Sequence, residues 1–150
     1  MADEADIALV VRRTIRAPIE RVFAAWTQPE HLQRWWGPAG MRCNLAEIDL
    51  RVGGRYRIGN EATNGDVVYI EGVFERIDAP RELVYTWRIN AGAQIPERVT
   101  VRFEPKNGAT EVVVVHERIA TEQSRTAHQA GWTGCLDGLA EYLVSPAAGT

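Results

Sequence analysis

The segment that decides the fold is residues 122–144, EQSRTAHQAGWTGCLDGLAEYLV, near the end of the printed sequence. Four large apolar side chains recur in it at spacings of four, three and four: Trp132, Leu136, Leu139 and Leu143. This spacing places them on one face of a helix. Thr121 precedes the segment and is the first candidate for its N-cap, with Ser124 as a later alternative. The sequence therefore predicts one long amphipathic helix whose apolar face must cover another part of the chain.

The surface for that helix to cover is predicted upstream, where apolar and polar residues alternate with period two, as in half-buried strands. Asn64-Gly65 and Asn107-Gly108 are strong hairpin signals between such runs. Strands that follow one another through short turns form an antiparallel sheet. The predicted strands, about seven in number, are 7–16, 43–50, 55–59, 67–77, 83–89, 99–103 and 112–117.

Two short helices are predicted between the first strand and the rest of the sheet. Pro18 suits the first turn of one helix and Pro29 the first turn of the next, and Gly37-Pro38 ends the pair. The fold class is therefore α+β: a curved antiparallel sheet around a long C-terminal helix, with two short helices that close one end. Because a helix rarely fills a strongly curved sheet, a pocket between them is expected.

Length and composition favour one ordinary domain, 1–150, with an ordered core of about 7–144. The net charge of −3 argues against a nucleic-acid partner. No apolar run is long enough to span a membrane, so no membrane association is expected. Cys43 and Cys135 lack zinc-site spacing. Without a signal peptide they are expected to be free thiols in a cytoplasmic protein.

Small residues in the long helix indicate where a pocket would lie. Gly131, Cys135 and Gly138 share a helix face with His128, offset from the large apolar side chains. Each glycine costs about 1 kcal/mol relative to alanine inside a helix, so each needs a reason. Close approach of the helix to the sheet is the preferred interpretation for Gly131. A pocket wall is the alternative that we keep for Gly138.

Aromatic residues supply candidate walls for the same pocket. Tyr85 and Trp87 lie on the inward face of their strand. Trp35 and Trp36 are adjacent, and consecutive helical positions cannot both face inward, so one is expected in the core and the other at a pocket mouth or the surface. The full set of predicted cavity-lining residues is Trp35, Tyr56, Tyr69, Phe74, Tyr85, Trp87, Val101, Val114, His116, His128, Gly131, Cys135 and Gly138.

No catalytic or metal-binding motif is recognised in the sequence. His116 follows Val112 and Val114 on an inward strand face, where it would satisfy a hydrogen bond or contact a ligand. Glutamates Glu71, Glu75 and Glu117 are expected to face outward, and an inward one would be a candidate base. Cys135 is interpreted as a packed thiol. The three histidines share no spacing, so no metal and no cofactor are predicted.

Several motifs resemble the SRPBCC (START-like, helix-grip) superfamily, and specifically its AHSA branch, the activators of heat-shock-protein-ninety ATPase. They fall in the family's order over about Val11 to Leu143. The motifs are the runs 17–23, 27–32, 35–38, 52–54, 72–75, 79–84 and 108–112, with His116, Gly131-Trp132, Leu136, Leu139 and Tyr142-Leu143.

The resemblance implies the helix-grip fold and a cavity under the long helix that holds a small hydrophobic molecule. Three functions stay open at this stage. The first is a ligand-binding protein without chemistry. The second is an enzyme of the cyclase or hydratase kind, with His116 near an inward Glu or Arg, or a related resistance protein that sequesters a toxic natural product. The third is a stress-response module that binds a chaperone, for which an exposed Trp36 would be the feature to probe.

Overall fold

The computed structural model describes residues 7–37, 41–89 and 96–144. Its seven strands form one antiparallel sheet in the order β1-β7-β6-β5-β4-β3-β2. The strands are β1 (Ile7–Ile15), β2 (Met41–Ile48), β3 (Arg55–Ala62), β4 (Val67–Asp78), β5 (Glu82–Ile89), β6 (Glu97–Lys106) and β7 (Ala109–Ile119). The predicted α+β helix-grip fold is confirmed.

Three helices accompany the sheet: α1 (Ile19–Thr27), α2 (Pro29–Trp35) and α3 (Glu122–Val144). Gln28 has an extended backbone, so it ends α1 and starts α2 without a longer connection. The predicted N-cap of α3 is confirmed, because the Thr121 hydroxyl accepts a hydrogen bond from the Ser124 amide at 3.0 Å. No helix in the described ranges is long and apolar enough to cross a membrane.

The apolar stripe of α3 is confirmed as its core face. Trp132, Leu136, Leu139 and Leu143 are all buried against the inward face of the sheet. The inward residues of β5 and β6 are buried with them, as the period of two predicted. Burial of these side chains stabilises each by about 1.5–3 kcal/mol, so this core fixes the position of α3 over the sheet.

Gly72 marks a close contact between β4 and β5. A Cβ atom at this position would collide with the backbone oxygen of Thr86 on β5. A glycine inside a strand pattern indicates a bulge or a close contact, and here it is the close contact. The register shift of β4 lies further on, between Phe74 and Arg76.

Candidate functional site

A pocket of about 180 Å³ lies between the N-terminal half of α3 and the inward side of the sheet. An apolar cavity of about 150 Å³ is known to hold benzene, so this space has the size of a small ring compound. Its walls come from three regions of the chain: the segment after α2, strands β2 to β5, and α3. The lining residues are Trp36, Met41, Asn60, Val68, Ile70, Trp87, Ile89, Ala127, His128, Gly131, Trp132 and Cys135.

Three of the lining residues carry buried polar atoms without a partner. The indole nitrogens of Trp36 and Trp87 and the amide oxygen Oδ1 of Asn60 have no hydrogen bond to any described residue. All three residues are at least nine-tenths buried. An unpaired buried polar group costs about 1–3 kcal/mol, so native structures rarely keep three together without a reason. Two unpaired donors and one unpaired acceptor therefore belong to residues of the pocket wall, although each of these atoms is itself covered by protein.

Two of the three glycines of α3, Gly131 and Gly138, have the opposite surroundings to those predicted. A Cβ atom added to Gly131 would meet nothing within 4 Å, because this residue faces the pocket. A Cβ atom added to Gly138 would lie 2.7 Å from the backbone oxygen of Trp35. Gly138 therefore permits close packing of α3 on α2. The preferred interpretation of Gly131 as a packing residue and the alternative of Gly138 as a pocket wall are both wrong.

The predicted lining residues separate into three groups. Trp87, His128, Gly131 and Cys135 line the pocket under α3. Tyr56, Phe74 and Tyr85 surround, together with Trp87, a second void of only about 20 Å³ at the centre of the core. That void has room for about one water molecule, so these aromatic rings are packed against one another. The remaining predicted residues are elsewhere: Trp35, Tyr69, Val101, Val114, His116 and Gly138.

Tyr69 and Trp35 are excluded from the pocket for local reasons. Tyr69 precedes the inward-facing Ile70, so it lies on the outer face of β4, where the Arg57 guanidinium lies 4.2 Å from its ring centre. The Trp35 indole donates a hydrogen bond to the Ala25 backbone oxygen at 2.8 Å and is part of the α1–α2 core. Their assignment as cavity-lining residues is therefore wrong in this structure.

Trp36 is buried. The sequence prediction assumed that Trp35 and Trp36 are both helical, and it therefore expected one of them at a pocket mouth or at the surface. The helix ends at Trp35, and the backbone of Trp36 is extended, with φ −72° and ψ 139°. This change of conformation turns both side chains inward, and Trp36 is 5% exposed. The residue becomes part of the pocket wall, beside Trp87 and Trp132, at ring-centre distances of 6.4 and 5.4 Å.

A polar cluster formed by Glu97, His116, His128 and Trp132 lies behind one wall of the pocket. Oε1 of Glu97 is 2.6 Å from Nε2 of His116 and 3.1 Å from Nε2 of His128. The two imidazole rings are stacked, with centres 4.5 Å apart. The Trp132 indole donates to Nδ1 of His116 at 3.0 Å. His116 is fully buried and does not line the pocket. Of the two histidines, His128 lines the pocket, and only one of its ring nitrogens contacts Glu97.

The Trp132 indole fixes the proton positions of the whole cluster. An indole N–H can only donate, so Nδ1 of His116 must accept and the ring proton must sit on Nε2, facing Glu97. The same carboxylate oxygen, Oε1 of Glu97, lies 3.1 Å from Nε2 of His128, which favours a proton on that nitrogen as well. In the neutral ring of His128 the lone pair is then on Nδ1, and no described residue is hydrogen bonded to that atom.

The pKa values of the cluster follow from these contacts. Burial alone would raise the pKa of Glu97, but the hydrogen bonds from His116 and His128 outweigh it and lower the pKa to about 2. Burial lowers the pKa of His116, against the opposing effect of Glu97. At neutral pH the cluster therefore contains a carboxylate and a neutral His116.

The same proton positions make the cluster unfavourable for a metal ion. Glu97, His116 and His128 place three ligand atoms within 4.8 Å of one another, which sequence spacing did not reveal. A histidine that binds a metal usually donates its other N–H to an acceptor. Here the other nitrogen of His116 faces a donor, so a metal on Nε2 would require a doubly deprotonated ring. The cluster is better suited to holding protons than to holding a metal.

Cys135 also borders the pocket, but as a thiol. Burial raises its pKa to about 12, although a hydrogen bond with the Gly37 backbone opposes the shift. A thiol that is protonated at neutral pH is a poor nucleophile. Both cysteines are free, as predicted.

A larger groove of about 850 Å³ lies against strands β2 to β5 and, like the pocket under α3, is partly open to solvent. Its walls carry charges of both signs that pair with each other, as in the 3.9 Å contact between Arg57 and Glu71. Exposed pairs of this kind contribute little specificity. The smaller pocket under α3 is the better candidate site because its polar atoms are buried and unpartnered.

Two residues of the site were not identified from the sequence, although the period-two alternation of their strands includes them. Glu97 continues the inward series of Val99, Val101 and Phe103 by period two, and Asn60 continues that of Tyr56 and Ile58. The third predicted strand ended too early, at Gly59, and the sixth began too late, at Val99, so neither polar residue was assigned to the inward face. Extending each strand by one or two residues would have identified both.

Fold and site together define a helix-grip domain with a ring-sized pocket under its C-terminal helix. The family model described as Activator of Hsp90 ATPase homolog 1-like protein matches residues 16–144, and the chain belongs to this family. No protein of curated function matches the chain.

Solved structures share the fold over nearly the whole chain. Protein CV1439 from Chromobacterium violaceum has a TM-score of 0.82 and 28% identity, covering 89% of this chain and 94% of that one. An AHSA1-like protein from Aeromonas hydrophila has a TM-score of 0.79 and 27% identity, covering 95% of both chains. The AHSA1 protein SPO3351 from Silicibacter pomeroyi, at 24% identity and covering 92% of this chain and 98% of that one, shows the fold alone with a TM-score of 0.81.

Proposed function

We propose that this protein binds a small, uncharged ring compound with a polar edge in the pocket under α3. The observation that carries the proposal is that Trp36, Trp87 and Asn60, which line a space of about 180 Å³, each hold a buried polar atom without a partner. A ligand that accepts from an indole and donates to the amide oxygen would satisfy groups that are otherwise unpaired.

The charge of the wall supports an uncharged ligand. Among the described residues, the lining contains no arginine, lysine or carboxylate, and the Glu97 carboxylate lies 3.1 Å behind Nε2 of His128. An anion would lie close to that carboxylate, and a cation would lose its water without gaining a direct partner. A ring that carries a carbonyl or hydroxyl group fits both the volume and the neutral polar atoms.

The proposal is tested with two probes of equal size, toluene and benzaldehyde. Ligand-observed NMR should detect binding of both, with benzaldehyde tighter by about fivefold, since one hydrogen bond contributes about 1 kcal/mol. Trp87→Phe removes one donor and should reduce that difference, although it weakens both probes through lost packing. If neither toluene nor benzaldehyde binds, the result would count against the pocket as a ligand site.

Two matched variants of α3 distinguish binding in the pocket from binding elsewhere on the surface. Gly131→Leu places a side chain in the open space and should abolish binding of both probes. Thr133→Leu adds the same side chain type on the exposed face of α3 and should leave binding unchanged. Equal binding by both variants would place the ligand elsewhere.

The chaperone-binding alternative named an exposed Trp36 as the feature to probe, and the structure does not show that exposure. Trp36 is buried, so it offers no exposed aromatic anchor for a partner. Chaperone binding and the cytoplasmic location stay predictions from the sequence, as does the resistance protein that sequesters a natural product.

A further inference from the structure

We propose that His128, held by Glu97, is a general base that moves a proton on the ring compound bound in the pocket. The substrate class is a small cyclic carbonyl compound with an acidic C–H next to the carbonyl. This inference rests on the proposed function, because it requires a ligand in the pocket under α3.

The first argument is the orientation of His128. Its Nε2 is 3.1 Å from the Glu97 carboxylate, and its ring borders the pocket. A carboxylate behind one ring nitrogen keeps the proton there, leaves the lone pair on Nδ1, and stabilises the ring after Nδ1 has taken a second proton. An oriented base with a carboxylate behind it is the arrangement that general-base catalysis requires.

The second argument is the rigidity of the carboxylate. The oxygen of Glu97 that faces His128 is also held by His116, which in turn accepts from Trp132. These three residues form a one-directional chain of hydrogen bonds that starts at a donor-only group. His116 therefore acts as a positioning residue and not as a base, because both of its nitrogens already have partners and it does not border the pocket.

The third argument is the pair of free donors. Removal of a proton next to a carbonyl group leaves negative charge on the carbonyl oxygen as the C–H electron pair forms a C=C bond. Trp36 and Trp87 line the same pocket, and the unpartnered indole N–H of either residue would donate a hydrogen bond to that oxygen when turned toward it. The protonated His128 then returns its proton to the same carbon or to another carbon, which completes an isomerisation without any co-reactant.

The test uses 1,2-benzisoxazole, a bicyclic probe with one acidic C–H. His128 takes the proton from the carbon next to nitrogen, the C–H electron pair completes a C≡N bond, and the N–O bond breaks. Its electrons stay on the oxygen, which leaves as the 2-cyanophenolate. Formation of this phenolate is followed by absorbance, and binding is followed separately through the fluorescence of the pocket tryptophans.

The wild-type protein should show saturable turnover above the buffer reaction. His128→Ala should lower kcat/KM on the order of 10²-fold, the usual contribution of a general base. Glu97→Gln should lower kcat and leave KM unchanged, because Glu97 does not border the pocket. His31→Gln is the control, since His31 contacts Tyr142 at the far end of α3 and should keep the wild-type rate.

The outcomes separate the two proposals. A wild-type protein that binds the probe but turns it over no faster than His128→Ala overturns the role of His128 and leaves the binding function intact. A kcat that is unchanged in Glu97→Gln overturns the positioning role of Glu97. Failure of the wild-type protein to bind the probe contradicts the proposed function itself.

Discussion

Gly131 and Gly138 are two helical turns apart on α3, and the difference between their surroundings gives a direct test of the pocket. Gly131→Ala should stabilise the protein by about 1 kcal/mol, because alanine favours the helix and its Cβ meets open space. Gly138→Ala should destabilise it by about 1–3 kcal/mol, because the Cβ collides with the Trp35 backbone. Urea unfolding of both variants measures the two changes. Stabilisation by both would show that α3 does not pack closely on α2.

Single residues also explain where sequence-based reasoning succeeded and where it did not. Leu83, Tyr85 and Trp87 were placed inward correctly, because two-residue alternation needs only local sequence. The partnership of Glu97, His116 and His128 depends on the β6–β7 register and on how α3 crosses the sheet. Both are set by packing over the whole core, so no spacing along the chain contains them.

At the scale of elements, the N-terminal half of α3 carries both the helix cap and the pocket wall. Thr121→Ala removes the hydrogen bond to the Ser124 amide and should lower stability by about 1 kcal/mol. Hydrogen exchange should accelerate first at Ser124 and its neighbours, ahead of the buried C-terminal half. The control is Thr133→Ala on the exposed face of the same helix, which should not lower stability. Equal loss in both variants would mean that the cap contributes nothing.

The element boundaries show why the fold was easier to predict than the site. All seven strands and all three helices were expected, since turns and periodicity are local signals. The site, however, uses element ends: Trp36 just beyond α2, Asn60 in the second half of β3, and Glu97 at the first residue of β6. Ends are where periodicity is weakest, because flanking turns interrupt the pattern. The pocket is therefore built from the least predictable positions.

At the scale of the whole molecule, the buried cluster links folding to pH. The pKa of His116 is lowered from 6.5 in the folded protein, so below about pH 6.5 the unfolded chain binds more protons than the native state. Stability from this residue is therefore complete above that pH and is lost as the pH falls. For one proton the slope has an upper limit of about 1.4 kcal/mol per pH unit. Glu97 acts in a lower window, from about pH 4.5 down to about 2.

His116→Gln isolates this effect, because a glutamine amide can accept from Trp132 and donate to Glu97 but does not titrate. Urea unfolding of both proteins at several pH values between neutrality and about pH 5.5 should show a falling stability for wild type and a smaller slope for the variant. The interval lies above the window of Glu97, whose carboxylate stays ionised throughout. Parallel slopes would mean that His116 becomes protonated without disturbing the core. The hydrogen bond from Trp132 would then not keep the His116 proton on Nε2. His116 would then also not orient Glu97 toward His128.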